Sequence, residues 1–223
     1  MARPVRIEGS DFWYHVMVRG DGGRVLFDDR RGYQHFFMLL TRYCPLFNIE
    51  VHAYALMPNH VHLFVHTHEA NLGRFMQRLT TAFSVWYNTR RERSGHVFQG
   101  RYKAILVERD TYGAEVTRYI HLNPARTSGV SRQLNHMRRA ARTCEWSSYR
   151  AYLGLSAAPA FLATAALLAR FGASIAQQRR AYARFVEEGL LKDLPELEEH
   201  VQAQSVLGSE RFHERVRRVV SDA

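Results

Sequence analysis

Two histidines that alternate with apolar residues are the first candidates for chemistry. Residues 55–66 read Ala-Leu-Met-Pro-Asn-His-Val-His-Leu-Phe-Val-His, which predicts a strand entered through a Pro-Asn turn. Side chains alternate between the two faces of a strand, so His60, His62 and His66 share one face. Two imidazoles held in this way can converge on one divalent cation, and His66 could add a ligand or support the pair. The alternative is a strand with polar residues on its solvent face.

The second half of such a site falls on a predicted helix near residue 120. Tyr119 and Asn123 are four residues apart and therefore share a helix face, with Glu115 one turn earlier. The amide oxygen of Asn123, at the expected helix end, could reach a cation bound by the histidines. A tyrosine beside a cation can attack a phosphodiester while the cation neutralises the phosphate. Tyr112 is a rival nucleophile on the same face, and simple packing of Tyr119 is the structural alternative.

The elements that must position these side chains follow from hydrophobic periodicity. Strand-like content occurs at residues 12–19, 49–57, 60–66 and in a segment that ends at residue 107. Helical spacing of apolar residues occurs at about residues 29–48, 72–91 and 111–122. The last helix is expected to stop at Asn123-Pro124, because a proline disfavours the helical conformation of the residue before it. The order strand, helix, strand, strand, helix, strand, helix predicts an α+β fold, a four-stranded antiparallel sheet with two helices on one face.

The charge balance favours a polyanionic partner. The chain has 31 Lys and Arg residues against 21 Asp and Glu residues, a formal net charge of +10. Arginine dominates this set, and its planar guanidinium group matches phosphate geometry. Basic and aromatic residues are interleaved over residues 90–103, as on a surface that binds nucleic acid, although a solvated loop is the alternative. The candidate DNA-binding residues are Arg90, Arg91, Arg93, Phe98, Arg101, Tyr102 and Lys103, with Arg126 at the start of a second basic stretch.

Cysteine content and hydropathy limit the class of protein. The two cysteines, Cys44 and Cys144, are far apart, which is typical of a reduced cytoplasmic protein without a disulfide framework. No apolar run reaches transmembrane length. Beyond about residue 155 the sequence predicts a small helical extension with no recognisable chemical group. Its helices are expected at about residues 160–172, 175–188 and 208–220.

Four separated motifs occur in an order that resembles a known family. They are Met-Pro-Asn-His-Val-His-Leu at 57–63, Gly-His-Val-Phe-Gln-Gly-Arg-Tyr-Lys at 95–103, Arg-Tyr-Ile-His-Leu-Asn-Pro-Ala-Arg at 118–126 and Trp-Ser-Ser-Tyr at 146–149. In residues, order and spacing the chain resembles the REP-associated tyrosine transposases, relatives of the small HUH single-strand transposases. The match spans about residues 5–155, and its specificity comes from the agreement of all four motifs.

The resemblance implies a fold, an activity and a division of the chain. The implied fold is the ferredoxin-like HUH endonuclease fold, with a catalytic domain over residues 1–155 and a helical extension over 156–223. The implied activity is cleavage and rejoining of single-stranded DNA at hairpin-bearing repeats. It would depend on Mg²⁺ or Mn²⁺ and proceed through a transient 5′-phosphotyrosine that leaves a free 3′-OH. The implied setting is the bacterial cytoplasm, with the protein as a monomer or a homodimer.

The resemblance also assigns roles to individual residues. His60 and His62 take the places of the metal ligands, and Tyr119 takes that of the nucleophile. Asn123 stands where insertion-sequence relatives use a glutamine, so its reach is shorter by one methylene. Two alternatives remain, a replication-initiator or relaxase type of HUH nuclease, and a DNA- or RNA-binding regulator that has lost catalysis. The Arg-Tyr-Ile-His-Leu-Asn-Pro stretch argues against the first, and the intact histidine pair and tyrosine argue against the second.

Overall fold

The structure, a computed structural model, describes residues 7–127, 131–191 and 206–221. Its strands are β1 (Phe12–Arg19), β2 (Ile49–Met57), β3 (His60–Thr67), β4 (Lys103–Val107) and β5 (Val206–Leu207). Its α-helices are α1 (Arg30–Leu46), α2 (Leu72–Arg90), α3 (Arg109–Arg126), α4 (Leu134–Thr143), α5 (Tyr149–Leu153), α6 (Ala165–Leu168), α7 (Ile175–Glu188) and α8 (Glu210–Ser221). Two short 3₁₀ turns lie at Asp21–Gly23 and Ala169–Phe171.

The strands form one sheet in the order β2-β3-β1-β4-β5. The first four pair antiparallel, with β2 and β3 joined as a hairpin through Pro58 and Asn59. This arrangement confirms the predicted α+β class and its ferredoxin-like order. The sheet has a fifth strand that the sequence did not suggest. β5 comes from the C-terminal part of the chain and pairs parallel with β4, and a two-residue strand carries no detectable alternation.

Helices α1 and α2 cover one face of the sheet. Asp29 caps α1 by accepting a hydrogen bond from the backbone N–H of Gly32, because a carboxylate satisfies amide groups that have no partner within the first helical turn. Apolar residues of both helices, among them Phe36 and Phe83, pack against alternate residues of the first three strands. This layer is a hydrophobic core and contains none of the predicted catalytic side chains.

The opposite face carries the candidate chemistry. Helix α3 packs there through Val116 and Ile120, against the strand face that also presents Phe64. The prediction named two helices on one face; the structure places the third helix on the other face, where α4 to α7 surround it. A second buried cluster therefore lies beneath α3, and the strand face that bears the histidines is covered rather than left to solvent.

Helix α3 differs from its predicted bounds at its C-terminal end. It continues through Pro124 to Arg126 instead of stopping before the proline. A proline in the last turn removes one backbone donor, and burial of Pro124 and Ala125 against the second cluster favours the longer helix. Asn123 consequently lies on the helix surface rather than at its end. Helix α4 lies in the basic stretch after Arg126, where the sequence analysis predicts no helix.

The segments after residue 143 are attached to the sheet by specific contacts. Backbone atoms around Ser147 hydrogen-bond with the edge of β2, and Ser148 Oγ accepts a hydrogen bond from the N–H of Tyr54. The predicted helix at 175–188 is present as α7, and that at 160–172 as α6 followed by the second 3₁₀ turn. Within the described ranges, no helix combines the length and apolar character of a membrane span.

Candidate active site

The predicted site residues come together between β3 and α3. The alternation of β3 turns His60 and His62 toward α3, where their rings lie 5.0 Å apart between centroids. One helical turn of α3 carries Tyr119 and Asn123 on the surface that faces them. The Tyr119 ring lies 5.7 Å from the His62 ring, and Asn123 Oδ1 lies 3.4 Å from His60 Nε2. Four residues from two separated motifs thus share one small region.

The hydrogen bonds of His60 fit a metal ligand. Its Nδ1 lies 2.8 Å from the side-chain oxygen of Asn59, which accepts the ring proton. The Nε2 atom then carries a lone pair and faces Asn123 Oδ1, a second acceptor, whose own Nδ2 donates to the carbonyl of Tyr119. Two electron-pair donors that face each other in this way suit a cation between them. Burial lowers the pKa of His60, which favours the neutral ring that ligation requires.

His62 is supported by a histidine that the sequence did not single out. His15 Nε2, on β1, lies 3.0 Å from His62 Nδ1, and both rings are almost fully buried. Burial holds the pKa of His62 well below its usual range and lowers the pKa of His15 to about 4. One ring therefore donates to the other as a neutral pair. With the proton on His62 Nδ1, its Nε2 is left as an electron-pair donor.

Two residues beside this site were missed in the sequence, His15 and Arg19. No motif in the sequence draws attention to His15, yet its ring lies 5.6 Å from that of Tyr119. Arg19 is exposed and is the direct cross-strand neighbour of His60. Strand alternation places both residues on one face of β1. Only the pairing of β1 with β3 shows that this face is the one that carries the histidine pair.

The other tyrosines and the acidic residue of the site helix lie in different surroundings. Tyr112, half-buried, packs against the second cluster. The hydroxyl of Tyr102 donates to Glu8 Oε1 at 3.4 Å, and its ring packs against the first core, the hydrophobic core between the sheet and helices α1 and α2. Glu115 forms an ion pair with Arg118 on the same helix. Of the candidate tyrosines, the structure brings Tyr119 beside the histidine pair.

The predicted DNA-binding arginines at the end of α2 make intramolecular contacts. Arg90 pairs with Asp29 at 2.5 Å and Arg91 pairs with Asp28 at 2.5 Å. The Arg91 guanidinium also lies over the Tyr87 ring, 3.8 Å from its centroid. Arg93 Nη2 donates to the carbonyl of Ser94, and its guanidinium lies 5.8 Å from the centroid of the Tyr87 ring. These cations order the corner between α1 and α2.

The remaining candidates divide by exposure. Phe98 is buried in the first core against Phe83, with ring centroids 5.9 Å apart, so its ring does not present a face to bases in this conformation. Arg101 and Lys103 are exposed. Lys103 pairs with Met17, which in turn pairs with His62, so Lys103 lies on the site face two strands away. Arg126 lies farther along α3 and donates to the carbonyl of Gly189.

His66 does not join this site. It lies near the other end of β3, among histidine and carboxylate side chains at the starts of β1 and β2. Six residues of strand separate it from His60, about 20 Å at the usual rise. His121, two residues after Tyr119 but on another helix face, is fully buried between Ser148 and Tyr182.

Comparisons with known proteins bear on the fold and on the family. A search of curated proteins finds no match. Among solved structures, one of a REP-associated tyrosine transposase bound to a REP hairpin covers 73% of this chain and 92% of its own, with 14% identity and a TM-score of 0.56. A putative transposase from Deinococcus radiodurans R1 covers 53% and 95%, with 18% identity and a TM-score of 0.38. The first similarity shows that the two proteins share a fold.

The family model for IS200-like transposases matches residues 9–123, more than half of the chain. The matched region begins just before β1 and ends at Asn123, so it contains the histidine pair and the tyrosine as well as the asparagine. The resemblance drawn from the sequence motifs is thereby confirmed at the level of the family. The chain belongs to the IS200-like transposases.

Proposed function

We propose that this transposase is a metal-dependent endonuclease and strand transferase that acts on single-stranded DNA with hairpin-bearing repeats. The observation that carries the proposal is the convergence of His60, His62 and Asn123 beside Tyr119 on one face of the sheet. The three proposed ligands present two imidazole nitrogens and one amide oxygen. This mixed set suits Mn²⁺ or Mg²⁺ at a phosphate better than a purely nitrogen site would.

The proposed chemistry uses Tyr119 as the nucleophile. Its phenolic oxygen forms a bond to phosphorus while the bond from phosphorus to the 3′ oxygen breaks. The phenol loses its proton to solvent, and the departing oxygen takes a proton to become a free 3′-OH. A bound divalent cation would neutralise the phosphate and orient it for in-line displacement. Rejoining is the reverse step, in which a 3′-OH attacks the 5′-phosphotyrosine.

The positions of the residues support action within one subunit. Tyr119 lies beside His62 of the same chain, and its helix is fixed to the sheet by a buried cluster. A tyrosine hydroxyl is a weak nucleophile without a neighbouring base or cation. Its placement next to the proposed ligands is therefore the feature that gives it reactivity.

The basic surface near the site supports single-stranded DNA as the substrate. Arg19 flanks His60. Lys103 lies on the same face of the sheet at the start of β4, and Arg101 is two residues earlier in the sequence. Such residues hold phosphates without reading sequence. The related fold bound to a REP hairpin supports a hairpin as the structured part of the substrate.

Cleavage of a labelled single-stranded hairpin tests the proposal. The full chain is incubated with the DNA in Mg²⁺, in Mn²⁺ and in a chelator, and covalent adducts are separated under denaturing conditions. We expect cleavage with either metal, none with the chelator, and a nucleotide attached to the peptide that contains Tyr119. The variant Tyr119→Phe keeps the ring and removes the oxygen, so it should bind DNA and metal but form no adduct.

Tyr112→Phe is the matched control, because Tyr112 lies on the same helix and should remain dispensable. An adduct on a peptide without Tyr119, or wild-type cleavage by Tyr119→Phe, would overturn the assignment. DNA binding without any cleavage in either metal would instead favour the regulator that has lost catalysis.

A further inference from the structure

A second group of histidines and carboxylates lies at the opposite end of the same sheet face. It is formed where β1 and β2 begin and β3 ends. Its members are Asp11, Glu50, His52, His66 and His68. Six residues of strand, about 20 Å, separate it from the proposed active site. The proposed chemistry gives these residues no role.

The hydrogen bonding of His52 determines which of its nitrogens carries the proton. Its ring is almost fully buried, and Nδ1 lies 2.8 Å from the carbonyl oxygen of Ala163. A carbonyl oxygen only accepts, so Nδ1 donates and the neutral ring has a bare Nε2. Among the described residues, this buried Nε2 has no hydrogen-bond partner.

The bare nitrogen of His52 faces a carboxylate. Glu50 Oε2 lies 3.3 Å from His52 Nε2, and the same oxygen lies 4.0 Å from His66 Nδ1. Two lone pairs at such a distance repel each other unless a cation or a proton lies between them.

The distances fit a metal ion. The three ligand atoms of Glu50, His52 and His66 all lie within 4.8 Å of one another. Ligands about 2.1 Å from a tetrahedral zinc ion are about 3.4 Å apart, so the observed separations require only small side-chain movements. Two histidines and a glutamate are also a ligand set that zinc uses, with the fourth position left for water.

The backbone and the neighbouring ring hold these ligands in place. The register of β2 against β3 shifts between Val51 and Ala53, so His52 is the extra residue of a β-bulge. Bulges turn a side chain away from its regular direction. Trp13 then stacks on the rings of both His52 and His66, with centroids 4.2 Å and 4.7 Å away.

We propose that Glu50, His52 and His66 form a second metal site, which binds a divalent transition-metal ion such as Zn²⁺ and is separate from the catalytic centre. The donor set argues for this class, because imidazole favours zinc and its neighbours over Mg²⁺. His52 Nδ1 also donates a hydrogen bond to the carbonyl oxygen of Ala163. The ion would therefore link the start of β2 to the segment that follows α5. Its role is therefore structural.

A competing arrangement uses the outer residues. His66 Nε2 and His68 Nδ1 lie 3.7 Å and 3.8 Å from Asp11 Oδ1. His66 can serve only one of these two arrangements for a single ion, because it uses a different nitrogen in each. We assign the inner one, since His52 is buried, fixed in one tautomer and without a hydrogen-bond partner, whereas Asp11 and His68 are more exposed.

Zinc titration of the full chain tests the second site. The protein is stripped with a chelator and titrated with Zn²⁺ by calorimetry, and with Co²⁺ by visible absorption, whose intensity reports tetrahedral coordination. A His60→Ala background weakens binding at the active site. In this background we expect one equivalent of Zn²⁺ to bind at the second site. Adding Glu50→Gln or His66→Gln should reduce the affinity for Zn²⁺ by about tenfold or more. Zn²⁺ should also raise Tm in the background protein but not in Glu50→Gln.

The outer residues provide matched controls. His68→Gln and Asp11→Asn should leave zinc affinity and the Co²⁺ spectrum close to those of the background protein. Loss of binding in these two variants, with retention in Glu50→Gln, would move the site to the outer residues. Absence of any zinc binding outside the active site, in variants whose metal-free unfolding is normal, would refute the proposal.

Discussion

His60 and His62 occupy different environments although they share a strand face. His60 is half-buried near the β2–β3 turn, where Asn59 and Asn123 provide its polar contacts. His62 is 5% exposed and packs against the rings of both His15 and Tyr119. The strand period places both on one face and does not distinguish their contributions to stability. Burial distinguishes them, because His62 is packed among other rings whereas His60 is half-buried.

Alanine substitutions should separate the two histidines by stability. His62→Ala leaves a cavity and removes the hydrogen-bond partner of His15, so the free energy of unfolding should fall by about 2 kcal/mol. His60→Ala should change it by less than about 1 kcal/mol. Both should abolish cleavage if both bind the metal. Chemical denaturation of the metal-free proteins measures the difference, and equal losses of stability would contradict the burial argument.

His15 should act as a positioning residue for the proposed metal. Its Nε2 can accept the Nδ1 proton of His62, which keeps His62 Nε2 available for ligation. Groups that orient a ligand typically change metal affinity by about 10–100-fold. His15→Phe fills the same space without an acceptor, so Mn²⁺ affinity should fall by about that factor while the fold is kept.

Calorimetric titration with Mn²⁺ checks this prediction apart from activity. His35→Phe is a suitable control, since His35 stacks on Trp86 on the α1–α2 side of the sheet. Unchanged Mn²⁺ affinity in His15→Phe would show that the two buried histidines are only packed together.

The sequence predicts which side chains share a face, because a single element determines that answer. The period of a strand places His60 and His62 on one face, and the period of a helix places Tyr119 with Asn123. Sequence-based prediction failed for residues whose role depends on a neighbouring element. His15 became visible only through strand pairing, and the aromatic, basic context of Phe98 concealed the fact that its ring enters the core.

At the scale of elements, α3 connects the site to the C-terminal helices. One of its faces presents Tyr119, and another buries His121. His121 Nε2 lies 2.7 Å from Ser148 Oγ, and His121 Nδ1 lies 2.7 Å from the Tyr182 hydroxyl. Ser148 is bonded in turn to the backbone of β2 through Tyr54. A neutral histidine therefore joins α3, β2 and α7.

This junction should make stability depend on pH. Burial lowers the pKa of His121 from 6.5 to about 3. Between these two pH values the unfolded chain binds a proton at His121 and the folded chain does not. The contribution is complete above about pH 6.5 and is lost as the pH falls toward 3. For one proton the slope is about 1.4 kcal/mol per pH unit.

Comparison of unfolding free energies from pH 7 to about pH 4 in the wild type and His121→Gln checks the prediction. The other buried histidines make the same pH-dependent contribution to the stability of both proteins. The variant should therefore lose stability more gradually as the pH falls, with a slope smaller by about 1.4 kcal/mol per pH unit. Parallel pH profiles would mean that His121 does not remain neutral in the folded state.

Element bounds were predictable where patterning was regular. The strands β1 to β3 and helices α1, α2 and α7 follow alternation or helical spacing together with caps such as Asp29. Helix α3 exceeded its expected end because tertiary burial of Pro124 outweighed a local rule about proline. The two-residue β5 depends on a distant partner strand, and no local pattern could reveal it.

At the scale of the molecule, the predicted C-terminal extension is packed against the sheet and α3. Tyr182 and Val186 of α7 are fully buried in the cluster beneath α3, and β5 extends the sheet beside β4. The Ala163 N–H donates to the carbonyl of Val51 in β2. These contacts support the position of α3, and hence that of Tyr119, from the side away from the β3 histidines.

The surface charge leads to a prediction about DNA affinity. Each phosphate contact to single-stranded DNA contributes about 0.7 to the slope of log K against log salt. Arg101 and Lys103 are exposed near the site face. Replacing both by Ala should therefore weaken binding to many sequences and reduce the slope by about 1.4. Fluorescence anisotropy of a labelled hairpin over a range of salt concentrations measures both quantities.

Arg90 and Arg91 form the matched control pair. They carry the same charge as Arg101 and Lys103. Their ion pairs with Asp29 and Asp28 hold them at the corner of α1 and α2, away from the proposed active site. Replacing both by Ala should change the salt slope less than the first double variant does, because carboxylates already neutralise these cations. If this second pair instead reduced the slope as much or more, the DNA would lie over the α1–α2 corner, and the proposed contact of DNA with Arg101 and Lys103 would be wrong.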